Sequence, residues 1–323
     1  MNQSSSPNAG KTTVARLYAK FLTSVGAIPG SFLVETTGSR LANGGVSECK
    51  KQMDNILNNG GGVLFIDEAY QLASGQNHGG IQVLDFLLAE VENLTGKIVF
   101  VLAGYNKQME AFFSHNPGLP SRFPNELQFK DYDDDELLRI LTQKVHKRYS
   151  GRMDLESGPH GLYARILTRR IGRGRGHEGF GNARAVENAI SLIAERQANR
   201  LRRERKTGIA TNNLLFTKED LIGPEPSLAL QSCQAWADLQ NLIGLKAVKE
   251  SLQALFESMQ YNYSRELEEK PLVLFSLNRI FLGSPGTGKT SVAKLYGQVL
   301  AHIGQLSNGE GWIFRYTLVP SKC

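Results

Sequence analysis

The octapeptide GSPGTGKT, Gly283 to Thr290, restricts the possible folds more than any other stretch of this chain. It fits G-x-x-x-x-G-K-[ST], follows the apolar run IFL (280–282) and opens an amphipathic helical pattern. In that order, strand, glycine loop and helix form a phosphate cradle on a parallel α/β sheet. Backbone N–H groups of Gly283, Pro285–Gly286–Thr287 and Gly288 surround the phosphates, apart from Pro285, which has no N–H. Lys289 reaches the outer phosphates, the Thr290 hydroxyl ligates Mg²⁺, and Ser291 completes the first helical turn.

The same pattern occurs near the start. SPNAGKTTVARLY (6–18) aligns with SPGTGKTSVAKLY (284–296), each position separated by 278, as Lys11 is from Lys289. Nine identities in thirteen positions mark an internal repeat, so the chain reads as two related modules in tandem. The first copy is degraded. Ser5 stands at the first glycine position, Asn8 replaces Gly286 and Ala9 replaces Thr287. Asn tolerates a left-handed backbone better than Ser does. Gly10, Lys11, Thr12 and Thr13 remain, so Lys11 and Thr12 are still candidates for phosphate and Mg²⁺ contact. The intact second loop is expected to hold phosphates better.

Past the first loop, a helix is expected to Ser24 with Val14, Leu17, Tyr18 and Phe21 on one face. SFLVET (31–36) reads as a strand and SECKKQMDNIL (47–57) as a helix. VLFIDEA then ends a continuously apolar run in Asp67 and Glu68. Ligands bind at the carboxyl ends of buried parallel strands. Adjacent carboxylates there can hold hydrated Mg²⁺ (Asp67) and orient the attacking water (Glu68). A helix at about 80–92 and the buried strand KIVFVLAGYN follow; the latter ends at Asn106, an amide able to orient water.

GGVLFIDEAYQL, VFVLAGYNKQME, NPGLPSRF and GFGNARAVENAI, in that order, resemble the AAA+ ATPases. The branch is that of the sporulation protein K-like proteins and red-type Rubisco activases, with fungal two-module relatives the nearest in appearance. The resemblance implies a P-loop α/β fold: a parallel sheet core with a helical lid, then the beginning of a second AAA+ module. It implies ATP and Mg²⁺ as ligands, Lys11 and Thr12 as the Walker A pair, and Asp67 and Glu68 as Walker B. Asn106 falls at sensor 1, Arg122 in SRF at the arginine finger and Arg184 in GNAR at sensor 2. A finger acting on a neighbour's nucleotide implies a ring of six copies, and the family implies an unknown protein substrate. Two departures stand out. Pro120 occupies the position of a first arginine, and the expected pore loop LANGGV (41–46) has no aromatic residue to grip a threaded polypeptide.

The implied domains are a core at 1–133 lacking its first strand, a helical lid at 134–222 and a linker at 223–236. The start of the second module follows at 237–310, with an unrelated tail at 311–323. Lid helices are expected near 134–149, 159–171 and 182–206, the first capped by the acids from Asp133 to Glu136. Five arginines at 165–175 and another basic run at 200–206 raise nucleic-acid binding. A net charge of +6 is too modest to imply it, and no aromatics interleave for stacking. The three cysteines are scattered and read as free thiols in a reducing compartment, cytoplasmic or nuclear. No secretory signal or membrane span is read.

An ATPase that remodels a protein partner leads this reading. A non-catalytic nucleotide-binding scaffold or regulatory subunit, and a nucleic-acid-dependent ATPase, stand beside it. The chain reads as truncated at both ends. Met1 to Ser4 are too short and too polar to form the strand that should feed the first loop, between the strands at 97–103 and 126–129. Either the second module's strand at 280–282 inserts into that gap, or the gap stays open and the C-terminal piece packs elsewhere.

Overall fold

The computed structural model describes residues 10–73, 78–115, 117–177 and 179–303. Ser5, Asn8, Ala9 and the 311–323 tail lie outside them. The chain divides between Lys130 and Asp131 into two compact units.

In the first unit, helix α1 (Lys11–Ser24) precedes β1 (Phe32–Thr37), α2 (Gly38–Asn58) and β2 (Gly62–Asp67). Then come a short 3₁₀ turn (Ala69–Leu72), α3 (His78–Asn93), β3 (Ile98–Leu102), α4 (Asn106–His115) and α5 (Gly118–Arg122). The strands form a parallel sheet in the order β1–β2–β3, with Ile66 opposite both Thr36 and Leu102. Both faces of β2 are covered. Leu64 and Ile66 join the core shared with α2 and α3, while Val63 and Phe65 face Ala19 and Ala15 of α1. This two-sided burial explains the unbroken apolar run read from the sequence.

Four sequence expectations change here. The apolar stripe of α1 does not face the sheet; Ala15 and Ala19 do, because small side chains let the helix approach closely. Residues 41–46 form no loop. They lie in α2, whose cap Thr37 accepts a hydrogen bond from the Arg40 N–H (3.2 Å), with a kink at Gly45 (φ 65°). Leu41 and Ala42 are buried, which holds the segment helical. The strand expected at 126–129 is irregular, with Leu127 72% exposed. A strand needs a hydrogen-bonded neighbour, and among the described residues none lies on the outer side of β3. Residues 280–282 do not fill that place either: they form no strand, and Ile280 and Leu282 are 86% and 83% exposed. Phe281 turns instead to Tyr296, ring to ring at 6.4 Å.

The second unit opens with α6 (Asp134–Arg148), capped as expected: Glu136 N–H donates to Asp133 (2.8 Å), and Asp133 N–H donates to Glu136 (3.0 Å). A short strand β4 (Asp154–Leu155), α7 (Leu162–Gly172), α8 (Ala183–Lys206), β5 (Leu215–Phe216) and α9 (Lys218–Ile222) follow, close to the expected lid helices. The stretch read as a linker is helical, with α10 (Pro226–Gln231) and α11 (Gln234–Asn241) leading to α12 (Lys246–Leu267) and α13 (Lys289–His302). Helix α12 joins two cores. Leu252, Leu255, Phe256 and Met259 pack with α13, whereas Tyr263 and Leu267 pack with the lid helices.

The lid arginines are engaged in intramolecular ion pairs. Arg170 and Arg173 hold Glu266, and Arg165 and Arg169 hold Glu269. In the second basic run, Arg200 is buried against Asp220 and Arg203 pairs with Glu219. Burial alone would push the Glu266 carboxyl up, but hydrogen bonds and charges from Arg170 and Arg173 outweigh it and hold the pKa below the usual value. A depressed folded-state pKa gives stability that is present above the unfolded value of about 4.3 and is lost as pH falls through the folded one. Glu266→Gln is therefore expected to destabilise the second unit by about 1.5–3 kcal/mol at pH 7. Urea titrations should show that difference shrinking toward pH 3.

Cys49 and Cys233 are free and buried, and burial pushes the Cys49 thiol up to about 12. Cys323 lies outside the described residues. Among the described residues, no helix is long and apolar enough to cross a membrane.

Candidate nucleotide site

Packing sets the level at which α1 meets the sheet. Ala19 clusters with Val63, and Ala15 with Phe65 and Ala103. Four helical residues rise about 6 Å and two strand residues about 6.6 Å. One further step therefore brings the first turn of α1, with Lys11 and Thr12, level with Asp67. The lysine contact agrees. Lys11 Nζ donates to the Gly104 carbonyl (2.7 Å), two residues past Leu102, which pairs with Ile66; Gly104 is thus level with Glu68. The ammonium also lies 5.5 Å from the centre of the Tyr105 ring.

The end of α1 suits an anion. Its cap, Gly10, contributes no side-chain hydrogen bond, and no acid lies in the first turn. The first-turn N–H groups and the positive end of a helix dipole favour phosphate. Thr12 is buried in that turn and Thr13 is exposed. The Thr12 hydroxyl and Asp67 carboxylate are hard oxygen donors, the type that Mg²⁺ takes.

Glu68 adopts a left-handed backbone (φ 50°, ψ 42°), which costs a non-glycine residue roughly 1–2 kcal/mol. Its N–H donates to Asp67 Oδ1 (3.0 Å), and its carboxylate accepts from Gln71 Nε2 (2.7 Å). A Cβ on Gly38 would stand 2.5 Å from the Glu68 carbonyl, so a glycine at the start of α2 is needed for this close approach. Gln71, Gly104 and Tyr105 were not singled out in the sequence; all three lie inside the quoted motifs, and their contacts follow only once the turn is folded.

The remaining predicted residues lie elsewhere. Asn106 is exposed at the start of α4. Arg122 ends α5 folded back on its own chain: its guanidinium pairs with Glu92 (2.9 Å) and donates to the carbonyls of Leu88 (2.9 Å) and Gly118 (3.2 Å). Arg184, in the first turn of α8, belongs to the second unit. The residue before that helix, Asn182, accepts from Tyr132 N–H (2.9 Å) and donates to Asp131 (2.7 Å), fixing the start of α8. Hydrogen bonds from Asn182 and Gly176 hold the Asp131 carboxyl below its usual value.

The second loop has its glycines in positive-φ conformations: Gly283 at 154°, Gly286 at 82° and Gly288 at 84°. Lys289 Nζ curls onto the carbonyls of Gly283 (2.8 Å) and Ser284 (2.6 Å), and Thr287 caps Ser284 (2.8 Å). Pro285, Thr290 and Ser291 are exposed. No strand among the described residues leads into this loop, and no described group of three or more acidic, His or Cys side chains forms a metal cluster.

Residues 4–131 match the ATPase family associated with various cellular activities (AAA), and residues 133–229 match the AAA lid domain. The CfxQ homolog of Galdieria sulphuraria is 35% identical over 238 residues, 72% of this chain and 72% of its own length. The chloroplastic ribulose bisphosphate carboxylase/oxygenase activase of Cyanidioschyzon merolae is 35% identical over 228 residues, 69% of this chain and 72% of its own. The CbbX protein of Cereibacter sphaeroides is 35% identical over 205 residues, 62% of this chain and 64% of its own. These relatives are algal and bacterial, and they lend no support to a closer tie with fungal two-module proteins. A lysine at the head of α1 and paired carboxylates at the end of β2 thus accompany matches to both AAA domains: this chain belongs to the AAA family of ATPases, among the relatives of CfxQ and CbbX.

Proposed function

We propose that the first unit binds ATP with Mg²⁺ and hydrolyses it, and that the cycle remodels a protein partner. One observation carries this reading: the first turn of α1, with Lys11, is level with Asp67 and Glu68 at the carboxyl ends of β2 and β3. Lys11 and the helix N–H groups would hold the outer phosphates, and Thr12 and Asp67 would hold the metal. Bound Mg²⁺ supplies neutralisation of the phosphate oxygens. Glu68, oriented by Gln71, accepts the proton of the attacking water. Its strained backbone supports a functional role, since such strain gathers at active sites.

The protein partner is supported by the activase named among the relatives. Threading through a pore is not part of the proposal, because 41–46 is helical with Leu41 and Ala42 buried. Two modules in tandem remain our reading of the repeat, the second contributing a phosphate loop. The chain is assigned to an intracellular, reducing compartment on its free thiols.

Arg122 acts in this proposal on the neighbouring copy of a ring, after leaving Glu92. Mixing Glu68→Gln chains with Arg122→Ala chains tests that. An Arg122→Ala subunit keeps its own Glu68 and receives Arg122 from a Glu68→Gln neighbour. Phosphate release should therefore recover in the mixture to well above either variant alone. A mixture no more active than its parts would exclude a finger in trans.

A further inference from the structure

The Lys11 ammonium has two partners in the loop that follows β3. It donates to the Gly104 carbonyl (2.7 Å) and lies over the Tyr105 ring, 5.5 Å from its centre. That loop is fixed on both sides. Ala103 N–H donates to the Ile66 carbonyl (2.9 Å), and Ala69 N–H donates to the Ala103 carbonyl (2.9 Å). Beyond the ring, Met109 N–H donates to the Tyr105 carbonyl (2.8 Å) as α4 begins. The Tyr105 ring stands 6.5 Å from that of Tyr70, tilted by 45°. Tyr70 lies in the 3₁₀ turn after Glu68 and packs against the core of the first unit. A Cβ on Gly104 would stand 2.6 Å from Met109 Sδ and 2.9 Å from the Tyr70 ring, so glycine is what lets Tyr70 come this close.

A lysine side chain is long and flexible, and fixing it costs entropy. A carboxylate in the place of Tyr105 would fix it by neutralising it, and would then compete with a phosphate for the same charge. An aromatic face attracts the ammonium more weakly, through its quadrupole, and leaves the charge in place. The Gly104 carbonyl takes one of the three N–H donors, and the others suit an anion. The loop sequence alone does not dictate this arrangement. The corresponding Lys289 curls onto the carbonyls of Gly283 and Ser284, whereas Lys11 is held by a loop 93 positions away.

We propose that Tyr105 is a positioning residue for Lys11: its ring face and the Gly104 carbonyl hold the ammonium level with Glu68, where it meets the outer phosphates of a nucleoside triphosphate. This role rests on the first unit binding nucleotide as proposed above. Tyr105 itself touches neither phosphate nor metal; it acts through Lys11. Tyr70 braces it from the turn that carries Glu68, so the phosphate-binding lysine and the base are set by one stretch of fixed backbone. The ring face is what the lysine uses, and any aromatic residue of similar size supplies it.

The test titrates the full chain with a fluorescent ATP analogue and Mg²⁺, beside KM and kcat for phosphate release. Tyr105→Leu is expected to weaken binding about three- to tenfold, the worth of a cation–ring contact at a partly exposed site. KM should rise by the same factor, with kcat within about twofold. Tyr105→Phe and Tyr105→Trp keep the ring face and should bind as the parent does. Tyr105 is 55% exposed, so the urea midpoint should stay the same in every variant. Lys11→Ala in the same titration separates the site from the role of Tyr105. If Lys11→Ala weakens binding and Tyr105→Leu does not, the nucleotide site stands and the role of Tyr105 falls. If Lys11→Ala binds as tightly as the parent, the site itself falls, and the role of Tyr105 with it. Tyr105→Phe as weak as Tyr105→Leu, or a loss in kcat at constant KM, would also overturn the proposal.

Discussion

Glu68→Gln is expected to slow ATP hydrolysis by about 10²–10⁴-fold, the usual worth of a positioned general base, while nucleotide affinity stays within a few fold. Glutamine is nearly isosteric and keeps an oxygen that can accept from Gln71 Nε2, now 2.7 Å from the carboxylate. It leaves the proposed phosphate and metal contacts of Lys11, Thr12 and Asp67 untouched. What it removes is the charge that takes the proton. Steady-state phosphate release measured beside equilibrium binding of a fluorescent ATP analogue separates the two. Equal losses in binding and turnover would mean that Glu68 shapes the site rather than serving as its base.

The largest stability effect is expected in the second unit. Asp220→Ala should destabilise it by about 3–5 kcal/mol, because it takes from a buried cation the carboxylate that accepts three of its hydrogen bonds and leaves it only Glu204 (2.9 Å) as counter-charge. Asp220 is fully buried and Arg200 is 7% exposed. The guanidinium donates to both carboxylate oxygens (3.1, 3.1 and 2.9 Å) and to the Leu215 carbonyl (3.1 Å). Hydrogen bonding to Asp220, offset in part by burial, raises the Arg200 pKa. Asp220 also accepts from Thr217 N–H (2.9 Å) in the capping box of α9. The expected loss is a large part of a domain's usual stability of about 5–15 kcal/mol. Replacing both partners, Arg200→Met with Asp220→Leu, should recover most of it, since a packed apolar pair needs no compensating charge. A single variant as stable as the parent in guanidinium titrations would show the pair to be solvated.

The sequence was legible where local signals and burial agree. The run ending at Asp67 is covered on both faces of the sheet, and the acids from Asp133 to Glu136 cap α6 as their positions require. Legibility failed where an element's partners lie elsewhere or are not among the described residues. The stripe on α1 reads as a core face by periodicity, yet its small residues, Ala15 and Ala19, are what fit against β2. Residues 126–129 and 280–282 have strand-like composition, but no described strand lies beside them. Gly45 allowed two helical pieces to join where a loop was expected. At the site, the contact between Lys11 and Gly104 joins residues 93 positions apart, a distance over which no local pattern informs.

Turnover is proposed to belong to the first unit despite its weaker loop sequence, and one assay tests that directly: Mg²⁺-dependent phosphate release by the full chain carrying Lys11→Ala, compared with Lys289→Ala. Lys11 reaches the Gly104 carbonyl, level with Glu68, whereas Lys289 donates to the Gly283 and Ser284 carbonyls and the Thr287 hydroxyl of its own loop. Lys11→Ala is expected to abolish hydrolysis and Lys289→Ala to retain most of it. Undiminished hydrolysis in Lys11→Ala would contradict that assignment.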